Sequence, residues 1–335
     1  MSEIIKTVQL MIFLGIVGLA TLIGYMTWMP SPALLLNEDE IVQEIEELEV
    51  RLKAHVETLS RSKIGRNYVN EDHLTPAKNY IVNQFEQLDL KPKFHNYEIY
   101  GDEYSNIIVD IPSDKENTAV LIVGAHYDSV EHSPGANDNA SGVGALIEIA
   151  RHFSQVAPKH YQLRLIAFAN EEPPFFQTEE MGSLVYVQSM RGDEDILGMI
   201  SIETIGYYTN EKGSQKYPKL FSYFYPDTGN FVSFIGNMQS RGLVTSSISL
   251  FRENSAVPSE GVASPGLVPG VGWSDHWSFW LSGYNAIMVT DTAPYRYEHY
   301  HESTDTPDKL NYGQYARVVF GLSKVVEGLL EKGIE

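Results

Sequence analysis

Unbroken apolar runs that lead into metal-binding residue types constrain this chain more than any other feature. Val120-Leu121-Ile122-Val123 leads through Gly124-Ala125 to His126, Leu165-Ile166-Ala167-Phe168 to Asn170-Glu171-Glu172, and Ile200-Ser201-Ile202 to Glu203. The first two runs are continuous, without polar alternation, as expected of strands buried on both faces. The candidate strands are 106–111, 119–125, 162–169, 196–202, 231–236 and 286–290, and helices are expected near 75–88, 142–156, 183–190 and 312–330. Their alternation predicts an α/β sheet with helices on both faces. Such sheets collect ligands beyond strand carboxyl ends and at helix starts. His126, Glu171, Glu172 and Glu203 follow strands, and Asp138 precedes the helix opening at Gly142, so one sheet edge can gather them.

The N-terminus obeys a different solvent. Residues 7–29 hold no charged side chain, and a helix of that length, at about 1.5 Å per residue, crosses the roughly 30 Å hydrocarbon core of a bilayer. A cleaved signal peptide is the competing reading, but its apolar stretch should run only about 7–15 residues and end in small residues. Here Trp28-Met29-Pro30 ends the run. Lys6 lies just before the span, while Arg51 and Lys53 come late, so the N-terminus is expected to stay cytoplasmic and the rest to face outward. Residues 1–36 read as anchor and linker, and 37–335 as one catalytic domain. Within it, Asn37 is a candidate N-cap, with Glu38, Asp39 and Glu40 favouring the first turn of a helix reaching Leu59. Ile41, Ile45, Leu48, Leu52, Val56 and Leu59 form an apolar stripe, suited to a short coiled-coil seam or, over so few heptads, to packing on the domain.

Composition removes whole classes of function. The 335 residues carry a net charge of −20, the wrong sign for neutralising a nucleic-acid backbone. The chain has no cysteine, which excludes disulfides, thiolate zinc sites and a cysteine nucleophile, and leaves histidine and carboxylate to hold any transition metal. The sequence contains no G-x-S-x-G elbow, phosphate-binding G-x-x-x-x-G-K loop or H-E-x-x-H helix.

What remains fits a paired-metal hydrolase. Two divalent cations about 3.5–4 Å apart repel, and need a bridging carboxylate with histidine and carboxylate on either side. Asp138 suits the bridge, His126 with Glu203 suits one metal, and Glu172 with His301 suits the other. Glu171 is then left uncoordinated, placed to take a proton from a bridging water and return it to a leaving amine. Asp128, two residues after His126, could orient that imidazole.

At this point the motifs resemble a family. Gly124-Ala125-His126-Tyr127-Asp128-Ser129, Pro134-Gly135-Ala136-Asn137-Asp138-Asn139-Ala140-Ser141-Gly142, Asn170-Glu171-Glu172, Gly182-Ser183, Ser274-Asp275-His276 and Tyr300-His301 are together similar to the zinc-dependent aminopeptidases with co-catalytic metals. Relatives of that family include glutaminyl cyclases, glutamate carboxypeptidases and receptor-like members without activity. The resemblance runs from about residue 50 to the C-terminus. It implies a mixed, mainly parallel sheet, two zinc ions, peptide substrates, and hydrolysis of N-terminal residues with Glu171 as base. Tyr300 is similar to the family tyrosine that polarises the scissile carbonyl. Two departures stand out: Glu203 occupies a position where the family more often has Asp, and residues 173–181 lengthen a loop that begins beside the metals and is expected to shape the pocket. A glutaminyl cyclase-like transferase is the nearer alternative, although such cyclases tend to carry Trp before the final histidine, where Tyr300 stands. A non-catalytic, receptor-like protein is the other, and against it every ligand position holds a competent residue.

The aromatic residues are harder to place. Tyr207, Tyr208, Tyr217, Phe221, Tyr223, Phe224 and Tyr225 suit either a wall for bulky side chains or core packing and an exposed hairpin. Truncating Phe175 or Tyr208 to Ala is expected to alter side-chain preference if they line the pocket. Asp275 could order the site without touching metal, and His276 is expected to be a hydrogen-bonded structural histidine.

Overall fold

The strands β1 (Lys93–Ile99), β2 (Asp102–Ile111), β3 (Val120–His126), β4 (Gln162–Phe168), β5 (Ile196–Glu203), β6 (Val232–Gly236), β7 (Ser259–Ala263) and β8 (Ala286–Thr290) form one sheet in the order β1-β2-β4-β3-β5-β8-β6-β7. The computed structural model describes residues 2–115, 118–190, 192, 194–219 and 221–334. Pairings β4–β3–β5–β8 and β6–β7 are parallel, whereas β1–β2, β2–β4 and β8–β6 are antiparallel. The sheet is therefore mixed, with a parallel centre.

Alternation along the central strands divides the interior. Leu121, Val123 and Ala125 of β3, Leu163, Leu165 and Ala167 of β4, and Ile200 and Ile202 of β5 face one core. Val120 and Ile122, Ile166 and Phe168, and Met199 face the other. The first core is covered by α2 (Glu38–Leu59), α4 (Gly142–Gln155), α6 (Arg241–Asn254) and α9 (Tyr312–Lys332), with α3 (Glu71–Glu86) beside them; the second by α5 (Gly182–Ser189) and α7 (His276–Leu281). Both faces are dry, which is why these strands read as continuous apolar runs.

The α2 stripe packs on the domain rather than forming a seam. Ile45, Leu48, Leu52, Val56 and Leu59 are buried against α9 and α4, and Asn37 caps the helix by accepting the backbone N–H of Asp39. Before it, α1 (Ser2–Thr27) exposes its large apolar residues and has the length and composition to cross a membrane. The helix starts before the uncharged run and stops ahead of Pro30. Its end is tied to α6: Arg241 donates to the Tyr25 carbonyl at 2.7 Å with its guanidinium 4.3 Å from the Tyr25 ring, and Arg252 donates to the Pro30 carbonyl at 2.6 Å.

Five elements depart from the expected set: β1, β7, α6, α7 and the four-residue α8 (Ala293–Arg296). In β1, Lys93–Ile99 is an edge strand with mostly exposed side chains, and β7 carries Ser259, Glu260 and Gly261, so neither shows an apolar run. The α6 segment is rich in Ser and Thr, poor helix formers whose side chains compete with the backbone; its helix stands on burial of Leu243, Val244, Ile248, Leu250 and Phe251. α7 is too short for a periodic signal.

Candidate metal centre

Because β4, β3 and β5 are parallel neighbours, their carboxyl ends meet at one edge. His126 is the last residue of β3, Glu203 the last of β5, and Glu171 and Glu172 follow β4. Asp138 comes from the irregular turn 136–141 that opens α4, and His301 from the loop after α8 (Ala293–Arg296). His126 Nε2 lies 3.3 Å from Asp138 Oδ1 and 3.2 Å from Glu203 Oε2. His301 Nε2 lies 3.0 Å from Asp138 Oδ2 and 3.4 Å from Glu172 Oε2. Asp138 thus faces a histidine with each oxygen. One donor atom each from His126, Asp138 and Glu172 lies within 4.8 Å of the others; Glu203 extends that trio beside His126, and His301 beside Asp138 and Glu172.

The backbone is strained where these side chains emerge. Asn170, before Glu171, has φ 58°; Thr204, after Glu203, has φ 44°; and His301 itself has φ 61°. Non-glycine residues in the left-handed region cost on the order of 1–3 kcal/mol each and persist where the surroundings over-determine them. Gly135, at φ 62°, turns the chain into the Asp138 turn, and a Cβ there would run into the Asp138 carbonyl.

Charge and burial together call for a cation. His126, Asp138, Glu171, Glu172 and Glu203 are all at most 7% exposed. Both ring nitrogens of His126, Asp138 Oδ2 and Glu172 Oε1 are buried with no hydrogen-bond partner, a state that normally costs stability unless an ion supplies the missing contact. Burial pushes the Glu171 carboxyl well above its usual range, with His126 opposing and Glu203 adding to the rise. Glu172 is driven up by burial, then by Asp138 and Glu171. Burial works against a proton on His126, but Glu203 and Glu171 outweigh it and hold the ring well above the usual value. Packed carboxylates and imidazoles with vacant lone pairs are the donor set that hard and borderline divalent ions take. The residues present fit such a group.

An outer layer holds this set in place. Asp128 does not bond strongly to His126, whose Nδ1 is 3.5 Å away, beyond a good hydrogen bond. Instead its Oδ1 accepts the backbone N–H of Glu171 at 3.2 Å and its Oδ2 that of Glu172 at 3.1 Å. Asp275 is fully buried, and burial pushes its carboxyl up to about 7. In that frame Ser274 makes the ligand contact, its hydroxyl donating to Glu203 Oε2 at 2.8 Å. His276 bonds the Val271 carbonyl and is held neutral by burial, at about 4, a structural histidine as expected. Three supports had no signature in the sequence. Asp305 accepts the backbone N–H of Asn137 at 2.9 Å, that of Asp138 at 3.1 Å and the Tyr297 hydroxyl at 2.8 Å. Asp291 accepts Asn137 Nδ2 and the Tyr207 N–H. Arg66, 1% exposed, donates to the carbonyls of Tyr127, Pro134 and Gly135 at 2.6–2.9 Å.

A cleft of about 630 Å³ opens over the cluster, lined by Asp138, Glu171, Glu172, Phe176, Trp273, Tyr300 and His301. Tyr300 stacks on His301 with ring centroids 3.9 Å apart, and the His301 side chain, 34% exposed, marks the mouth. Phe175 is not in this cleft; it is buried against Tyr68, and Phe176 lines the cleft in its place. Tyr208 is likewise buried away from the cleft.

Residues 106–326 match peptidase family M28, and the chain belongs to that family. The uncharacterized protein YfbL of Escherichia coli K12 is 38% identical over 282 residues, which span 81% of this chain and 85% of that one. Aminopeptidase YwaD of Bacillus subtilis 168 is 46% identical over 68 residues, 20% of this chain and 15% of its own length. The crystal structure of the LapA aminopeptidase from Legionella pneumophila superposes with a TM-score of 0.68, covering 92% of this chain and 79% of its own, at 18% identity. That likeness places the sheet and its helices in a common fold.

Proposed function

We propose that this chain is a membrane-anchored, zinc-dependent aminopeptidase that holds two zinc ions and removes N-terminal residues from peptides. One observation carries the reading: His126, Asp138, Glu172, Glu203 and His301 converge, buried donor atoms of His126, Asp138 and Glu172 have no hydrogen-bond partner, and a further carboxylate, Glu171, sits beside them, its Oε2 3.8 Å from His126 Nε2. Membership of a peptidase family and the aminopeptidase YwaD among its relatives support it.

In this reading His126, Asp138 and Glu203 would hold one ion, and Asp138, Glu172 and His301 the other; bound there, the ions would supply water activation and Lewis acidity toward the scissile carbonyl. Glu171 takes a proton from the attacking water, water oxygen bonds to the carbonyl carbon, and Glu171 passes the proton to the amine nitrogen as the C–N bond breaks. Asp128 fixes where that carboxylate stands. Tyr300 donates its hydroxyl hydrogen to the carbonyl oxygen as negative charge develops there; burial first, then Asp138 and Glu172, keep its phenol protonated. In this reading residues 1–36 serve as anchor and linker and 37–335 as the catalytic part, and Lys6 ahead of the span supports a catalytic part outside the cytoplasm.

The test is mass spectrometry of a peptide pool, free and N-acetylated, incubated with the zinc-loaded full chain in detergent, with and without chelator. Chelator-sensitive loss of single residues from free N-termini alone is the expected result. Loss of ammonia from N-terminal glutamine would assign the site to a cyclase, and no mass change would leave a binding protein.

A further inference from the structure

The cleft does not end at the cluster. Past Glu203, Trp273 and Tyr300, which line both spaces, it continues into a second cavity. Its floor is a sheet face on which Ser233 of β6, Glu260 of β7 and Thr290 of β8 stand in register. Its wall is aromatic: Tyr217, Phe221 and Tyr225 stack in series, with centroids 5.9 Å apart for Tyr217–Tyr225 and 6.2 Å for Phe221–Tyr225.

Among the residues lining this cavity, Glu203 and Glu260 are the only charged side chains. Glu203 is spent in the cluster, so Glu260 alone sets the charge of the space. Its strand neighbours point the other way, towards α6. Ser259 accepts Arg252 Nε on its hydroxyl at 3.0 Å and Arg252 Nη2 on its carbonyl at 2.6 Å, and a Cβ on Gly261 would meet Ile248 at 3.1 Å. Arg252 therefore lies across the sheet, and its remaining nitrogen is on the Pro30 carbonyl. The nearby phenols are committed as well: Tyr225 donates to the Gly261 carbonyl at 2.8 Å and Tyr217 to that of Pro226. Glu260 is left half-buried with no hydrogen bond or ion pair among the described residues. Burial raises its carboxyl, and Arg252 offsets this only in part.

A lone carboxylate in an aromatic-walled cavity matches a side chain with an apolar stem and a cationic tip. The stem lies along the rings, the cation gains from the ring faces, and the carboxylate accepts a charge-assisted hydrogen bond. We propose that Glu260 makes this cavity the recognition site for an N-terminal lysine or arginine side chain of the peptide substrate, a specificity that rests on the aminopeptidase reading above.

The test compares lysyl and norleucyl p-nitroanilides, equal in stem and different in tip, on the zinc-loaded full chain in detergent and on Glu260→Gln. The wild type is expected to favour lysyl in kcat/KM, and Glu260→Gln to lower the lysyl-to-norleucyl ratio about tenfold to a hundredfold, the range for a hydrogen bond to a charged group. The same ratio in both proteins would overturn the proposal. Calorimetric binding of L-lysinamide against L-norleucinamide reads the cavity without turnover. Lysine-selective binding lost in Glu260→Gln, with no hydrolysis of either anilide, would sink the peptidase reading and keep the cavity's role; unselective binding alongside hydrolysis would do the reverse.

Discussion

Replacing Asp128 by Asn isolates what the outer layer contributes. The carboxylate now accepts two buried backbone N–H groups, one on each oxygen, from Glu171 at 3.2 Å and Glu172 at 3.1 Å. Asparagine offers one oxygen and one NH2, so whichever way it turns, one N–H faces another donor. An orphaned buried donor costs about 1–3 kcal/mol, and the peptide that loses its bond relaxes away. Since Glu171 and Glu172 are adjacent, either outcome moves the proposed base or a proposed ligand. Loss of such a support typically weakens metal binding 10–100-fold, or about 1.4–2.7 kcal/mol, the same size as the hydrogen-bond penalty, so one disrupted contact accounts for both. The assay is competition for zinc against a chromophoric chelator, with denaturant unfolding of the apo full chain in detergent alongside. Zinc affinity within about twofold of wild type, with unfolding unchanged, would refute the argument that Asp128 acts through the Glu171–Glu172 backbone.

Glu171→Gln is expected to cut peptide turnover by two orders of magnitude or more, in the range of about 10²–10⁴ for a general base, while zinc content by elemental analysis stays intact; near-normal turnover would remove Glu171 from the base role. Arg66→Met leaves the Tyr127, Pro134 and Gly135 carbonyls unpaired and removes a buried cation from behind four acidic residues, so a loss of about 3–5 kcal/mol is expected in urea unfolding; an unchanged midpoint would show the site does not need that charge. For pH, burial would raise the Glu148 carboxyl, but hydrogen bonds from His55 at 3.0 Å and Arg51 at 2.8 Å hold it at about 2, against an ordinary 4.5. A depressed acid stabilises the fold above its unfolded value and loses that contribution as pH falls through the folded one, here between about 4.5 and 2, a swing of up to about 3 kcal/mol. Glu148→Gln should flatten unfolding free energy over that window, and parallel curves for the two proteins would contradict it.

Among the candidate ligands, His126, Glu172 and Glu203 were legible because each follows a hydrophobic run, whereas Asp138 and His301 sit in a helix-opening turn and a loop and were read from their motifs. His126 and Glu203 end strands that the pattern places side by side, and the carboxyl-edge rule puts their side chains together. Asp305 and Arg66 were not legible, because each acts on backbone atoms and a carbonyl or N–H leaves no mark on residue identity. The roles of Phe175 and Phe176 illustrate the same limit: adjacent phenylalanines point to opposite environments, and only the turn they occupy decides which one meets the cleft. β7 was invisible for a related reason. Its Ser259, Glu260 and Gly261 are poor strand formers by composition, and their sheet position is set by β6 pairing beside them.

With α1 in a bilayer, that strand would also set the height at which the domain stands. Gly261 lacks a Cβ, and the space one would fill is taken by Met29, 2.9 Å away, at the foot of the apolar helix. The glutamate-bearing cavity and the end of the apolar helix thus sit back to back across one strand, with Arg241 and Arg252 clamping the carbonyls of Tyr25 and Pro30. With α1 in a bilayer, such a mount behaves as a pedestal and not a leash. The domain cannot sweep outward along residues 28–37, so capture would depend on how densely peptides crowd the lipid surface more than on their concentration in bulk, and peptides that themselves adsorb there would meet the site by a two-dimensional search.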